Sequence, residues 1–250
     1  MESHCLKRPT RRQFLSSVAF AALAGSAGGA VARSISGEPP WQSGAADPPI
    51  QVRPGGWMFF TADEVSTMEA VVDRLIPADE LSIGGREAGC VLYLDRQLAG
   101  SYGASARLYT AGPFLPGLPT QGYQNAETPD QRYRLGIASL NAWTRDNKDG
   151  KRFAELSGDD QDAVLKDLEA GKIELPNKVN AKAFFNLMLS GAMEGFFADP
   201  IYGGNKDMAS WRMLGFPGAR YDYRDHVSKH NQPYPLPPVS IAGSTEWMSR

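Results

Sequence analysis

The chain has 250 residues, and its 26 Lys and Arg against 28 Asp and Glu leave a formal net charge of −2. That balance excludes a chain-wide basic surface for nucleic acid or anionic lipid. Its two cysteines, Cys5 and Cys90, exclude a disulfide framework and an iron–sulfur cluster, which takes about four cysteine ligands.

The N-terminal segment reads as a targeting signal over residues 1–32. Its basic part holds Lys7, Arg8, Arg11 and Arg12, an apolar part runs from Val18 to Ala27, and Ala30-Val31-Ala32 offers small residues for cleavage. Ser, Gly and Ala dilute the apolar part, so it falls short of the roughly 20 strongly apolar residues of a spanning helix. Arg11 and Arg12, followed after one spacer by Phe14 and Leu15, form the pattern of a twin-arginine signal, which serves proteins exported already folded. Without residues 1–32, 22 basic and 27 acidic residues remain, and Cys90 is the one cysteine left. Cys90 lies inside the apolar run GCVLYL and is expected to be a buried core residue.

Residues 33–56 are rich in Pro, Gly and Ser and read as a linker, so a single folded domain with an extended C-terminal tail is expected over 57–250, without a boundary inside 57–230. Thr61-Ala62-Asp63-Glu64 is a capping box, and Val65, Met68, Val72 and Leu75 recur at helical spacing until Pro77. AGCVLYLDRQLAG predicts a short buried helix ending near Gly100, with a strand as the weaker alternative. Residues 101–128 hold too many Gly and Pro for regular structure and too many aromatics for disorder, the pattern of a long ordered loop.

Thr128-Pro129-Asp130-Gln131 predicts the next helix start, with Tyr133, Ile137, Leu140 and Trp143 on one face. Ser157 caps a helix that points Val164, Leu165 and Leu168 inward and stops before Gly171. Asn180 starts another, whose broad stripe of Phe184, Phe185, Met188, Leu189, Ala192 and Phe196 suits a central position. The fold class is therefore mainly α: an irregular helical domain with long ordered loops, following a signal and a Pro-rich linker.

Residue patterns that carry chemistry are weak. Gly203-Gly204-Asn205-Lys206-Asp207 lacks the spacing and the strand–turn–helix setting of a dinucleotide loop, and reads as a tight turn with positive φ. His226 and His230 stand four apart, but prolines follow and no carboxylate intervenes. No C-x-x-C-H haem motif and no G-x-S-x-G elbow is present. Asp199 and Asp207 are the acids that flank the turn-rich segment, and a pair of carboxylates leaves a hydrolase open.

Residues 199–223, DPIYGGNKDMASWRMLGFPGARYDY, resemble the signature of the small subunit, subunit 3 or gamma, of membrane-bound gluconate 2-dehydrogenase and related FAD-dependent fructose, 2-ketogluconate, sorbitol and glucose dehydrogenases. VVDRLIPADE (71–80), GGREAGCVLYLDRQLAG (84–100) and YTAGPFLPG (109–117) resemble the same family in the same order. The resemblance implies a three-chain complex: an FAD-binding large dehydrogenase subunit, a multihaem cytochrome c subunit, and this chain. It also implies no catalytic, cofactor or metal residue here, with FAD and haem c held by the partners. The small subunit would accompany the large one through the twin-arginine translocase and face the periplasm, associated with the cytoplasmic membrane through its partners. Aromatics around the signature turn are natural interface anchors. Tyr202, Asn205, Asp207, Trp211, Phe216, Tyr221 and Tyr223 are thus candidates for the partner interface, with core sealing as their alternative role. The rival functions are a stand-alone periplasmic hydrolase and a sugar-binding protein.

Overall fold

The computed structural model describes residues 52–243, apart from 54, 107–111, 116, 123–125 and 221. Arg11, Arg12, Phe14, Leu15 and Tyr221 therefore lie outside the described residues, as does the targeting segment as a whole. Six α-helices are present among the described residues: α1 (Ala62–Leu75), α2 (Cys90–Leu98), α3 (Pro129–Asn147), α4 (Gly158–Glu169), α5 (Ala181–Phe197) and α6 (Ala209–Leu214). Short 3-10 turns link them, and isolated β-bridges at Gly218–Val239 and Ser240–Gly243 replace any strand among these residues. The mainly α reading holds, and the segment around Cys90 is a helix.

The helix starts are set by local hydrogen bonds. The Glu64 amide donates to Thr61 Oγ1 at 3.4 Å while the Thr61 amide donates to Glu64 Oε2 at 2.8 Å. The Asp160 amide donates to Ser157 Oγ at 3.2 Å, and the Ala183 amide to Asn180 Oδ1 at 2.9 Å. Each such cap satisfies an amide that the helix itself leaves open, worth about 1 kcal/mol. Between α2 and α3, the 101–128 stretch contains turns at 101–106 and a 3-10 turn at Pro119–Gln121.

Helix α5 packs against each of the other five helices. Its Phe184, Phe185, Met188, Ala192 and Phe196 are buried among Met68, Val71 and Val72 of α1, Leu94 of α2, Tyr133 and Ile137 of α3 and Leu168 of α4. Full burial of a large apolar side chain contributes about 1.5–3 kcal/mol. The closest approach is to α2, because Gly195 leaves no room for a side chain: a Cβ there would stand 3.0 Å from the Cα of Cys90. Cys90 is fully buried, and burial pushes its thiol up to about 12, which keeps it a protonated core residue.

Asp95 is the one polar residue among those that α2 buries. Fully buried, its Oδ2 accepts the Met58 amide at 2.9 Å, and its Oδ1 accepts the amides of Phe59 and Phe60, both at 2.9 Å. Arg96 pairs with the same carboxylate and also donates to the carbonyl of Gly56 at 3.1 Å. Further upstream, the Val52 amide donates to the carbonyl of Ile201 at 2.8 Å. The chain leading into α1 is thus strapped along α2.

Just beyond the strap, in the first turn of α1, Asp63 is bonded by Arg152 (2.6 Å), which also bonds Glu155 (2.8 Å). The Arg152 side chain and then its backbone amide hold the Glu155 carboxyl down from 4.5 to about 2. A depressed carboxyl contributes stability that is complete above its unfolded value and lost as pH falls through its folded one. In acid titrations followed by circular dichroism, the native chain is expected to lose stability between pH 4.5 and about 2 more steeply than Arg152→Gln.

Candidate functional site

The signature segment begins where α5 ends. Asp199 caps the 3-10 turn Pro200–Tyr202, its Oδ1 accepting the Ile201 amide at 3.0 Å. The same oxygen accepts Ser240 Oγ at 2.7 Å, and Oδ2 accepts the Ile241 amide at 2.7 Å. Both carboxylate oxygens are therefore spent on tying the 240–241 segment to the signature. Gly203 then turns the chain at φ 99°, a conformation that disfavours any Cβ. Gly204 lies flat against α5, where an added Cβ would come within 2.0 Å of the Gly195 carbonyl oxygen.

Asn205 is fully buried and acts as a latch. Its Nδ2 donates to the Ala198 carbonyl at 2.9 Å, while its Oδ1 accepts the Ser210 amide at 3.0 Å and Ser210 Oγ at 2.8 Å. The Lys206 amide donates to the Ala88 carbonyl at 3.1 Å, fixing the turn to the start of α2. Three non-glycine residues here, Asn205, Asp207 and Met208, hold positive φ. Such backbone persists where neighbours over-determine it, and these hydrogen bonds supply that restraint. The turn does not fit a dinucleotide, because the backbone that would cradle a pyrophosphate is already packed on α5 and bonded to α2.

Trp211, on α6, is buried and donates its Nε1 hydrogen to the Phe197 carbonyl at 2.9 Å. Phe216 meets it edge-on, with ring centroids 5.2 Å apart. Gly218 then bridges Val239, and the Tyr223 hydroxyl donates to the Gly218 carbonyl at 3.2 Å.

The candidate interface residues thus separate by role. Asn205 and Trp211 seal the fold, and Tyr223 is half-buried against its own segment. Tyr202, Asp207 and Phe216 are exposed. Their apolar neighbours Met213 and Leu214, with Leu81 from the α1–α2 connection, are exposed as well. Of these, Asp207, Met213 and Leu81 line a 420 Å³ hollow together with Ile83, Glu87, Lys206 and Arg212.

A second cavity, of 380 Å³, opens beside Tyr202 and is walled by Tyr93 and Gln97 of α2 and Glu194 and Phe197 of α5. The Tyr93 hydroxyl lies 3.4 Å from Glu194 Oε2, and burial followed by that carboxylate pushes its phenol up to about 12. Burial and Glu194 also raise the phenol of Tyr102. Sequence reasoning did not find Tyr93, Tyr102 or Glu194. The available signal was the spacing of Tyr93 with Gln97, four apart on α2, and Glu194 with Phe197, three apart on α5, each pair sharing one helix face.

His226 stacks on Tyr234 with centroids 4.7 Å apart, at the end of a 3-10 turn rather than on an α-helix. Among the described residues no group of three or more His, Cys, Asp or Glu is placed to hold a metal ion. No helix among them is long and apolar enough to cross a membrane.

No curated protein and no solved structure matches the chain. A family model, gluconate 2-dehydrogenase subunit 3, matches residues 62–218, from the first residue of α1 to the glycine that bridges Val239. The match spans more than half of the chain and takes in the latch, the strap's anchor on α2 and both hollows, so the chain belongs to the gluconate 2-dehydrogenase subunit 3 family.

Proposed function

We propose that this chain is the small, non-catalytic subunit of a periplasm-facing, FAD-dependent dehydrogenase complex of the gluconate 2-dehydrogenase type. The observation that carries this reading is the family match over residues 62–218, which implies an oxidoreductase assembly with other subunits. The large subunit binds FAD and oxidises the sugar acid or polyol, and a multihaem cytochrome c subunit passes electrons on toward the membrane. This chain supports folding of the flavoprotein and carries it through the twin-arginine translocase, its own Arg11 and Arg12 serving as the signal for both. The commitment of Asp199, Asn205 and Ser210 to internal hydrogen bonds supports a structural use of the signature.

Co-expression with the flavoprotein subunit tests this. Replacing Arg11 and Arg12 by lysine is expected to strand the flavoprotein in the cytoplasmic fraction and to remove at least about nine-tenths of periplasmic dehydrogenase activity. Normal periplasmic activity without this chain overturns the reading.

A further inference from the structure

The cavity beside Tyr202 has a chemistry that its role in the fold does not use. Glu194 stands exposed at its mouth, and the 3.4 Å approach of the Tyr93 hydroxyl is a weak claim on a carboxylate. Among the described residues Glu194 forms no ion pair, although ten ion pairs are made elsewhere in the fold. Tyr93 and Tyr202 line the cavity with this carboxylate, Tyr102 lies within electrostatic reach of Tyr93, Glu194 and the cation Arg132, and Tyr102 and Tyr202 keep much of their surface exposed. Asp199, deeper in the wall, has both oxygens occupied. The pocket therefore presents aromatic faces and one carboxylate with acceptor capacity to spare.

Three ligand chemistries are compatible with aromatic walls, and charge decides among them. A sugar acid brings a second carboxylate toward Glu194 and is repelled. A neutral polyol stacks on tyrosine but leaves the carboxylate without a counter-charge. A guanidinium satisfies both features, since its flat face stacks on an aromatic ring while its edge donates two parallel hydrogen bonds to a carboxylate. The other carboxylate of the lining, Asp199, is already taken up by the Ile201 and Ile241 amides and Ser240 Oγ, which leaves Glu194 as the acceptor.

We infer that this pocket receives an arginine side chain of the flavoprotein subunit, stacked against Tyr202 and paired with Glu194. The inference rests on the assembly reading above and names the part of the surface that docks. Because Glu194 and Tyr202 are exposed, replacing them leaves the helical core intact.

The test measures binding of the purified full-length chain to the flavoprotein subunit by biolayer interferometry at low and high salt, with thermal melts as the folding control. Glu194→Gln is expected to weaken binding about tenfold and to flatten its salt dependence, and Glu194→Lys to weaken it about a hundredfold. Tyr202→Ala is expected to weaken it several-fold, with Tyr202→Phe close to native because stacking needs the ring and not the hydroxyl. Equal binding by native chain and Glu194→Lys overturns the pocket while leaving the assembly reading standing. A native chain that does not bind the flavoprotein at all overturns both. Weakened binding by Glu194→Gln with unchanged salt dependence overturns the ionic pairing.

Discussion

Asp95→Ala is expected to lower stability by about 3–5 kcal/mol, the range for removing one member of a buried, hydrogen-bonded charge pair. The loss has three sources: the amides of Met58, Phe59 and Phe60 lose their acceptor, Arg96 loses its counter-charge, and a void replaces the carboxylate. An unsatisfied buried donor alone costs about 1–3 kcal/mol. For a domain of this size the change corresponds to a melting point lower by roughly 10 °C. Asp95→Asn keeps the shape but only one acceptor oxygen, and is expected to fall between native and alanine. Asp146→Ala, an exposed acid on α3, is the control and should stay within about 0.5 kcal/mol. Thermal melts showing Asp95→Ala no worse than Asp146→Ala would mean that the strap does not stabilise the fold.

Gly204→Ala is the second large effect. Its new methyl would lie 2.0 Å from the Gly195 carbonyl oxygen and 2.9 Å from the carbonyl carbon, so α5 and the signature turn must separate. Overpacking costs typically about 1–3 kcal/mol, and more when the obstacle is backbone that cannot rotate away, which places this substitution at about 3 kcal/mol. Gly215→Ala makes the contrast: φ is 69° there and nothing lies within 4 Å, so only backbone strain of about 1 kcal/mol applies. Denaturant midpoints of the two variants separate close approach from conformational freedom. Equal midpoints would mean that the turn tolerates displacement from α5. The same variant is expected to release Asn205 from Ala198, because the latch and Gly204 are adjacent on one turn.

The helices were legible because what starts them is local. Thr61 and Glu64, Ser157 and Asp160, and Asn180 and Ala183 meet within three residues of each other, so a short window contains both partners. The central position of α5 was legible too, since its apolar stripe is too broad for a helix with one covered side. Asp95 was not legible in its role: it sits in an apolar run, and its partners lie 35 to 37 residues earlier in a stretch without periodicity. The Tyr93–Glu194 pocket joins residues 101 apart in sequence, and only the close α2–α5 crossing at Gly195 brings them together. The signature aromatics looked alike in sequence. What distinguishes Trp211 from Tyr202 is a backbone carbonyl, that of Phe197, standing ready for the indole hydrogen, and nothing in residue type reports that.

The strap also has a mechanical consequence. Tension arriving along the chain from its N-terminal side first meets the single Val52–Ile201 bond, then the Arg96 clamp on Gly56, and then three amides held by one carboxylate. Because those three share Asp95, they bear force in parallel and yield together, not one after another. A tug on this tether is therefore delivered first to the Pro200–Tyr202 turn, and then to α2 and, through Arg134 on the Phe59 carbonyl, to α3, before α1 feels any of it.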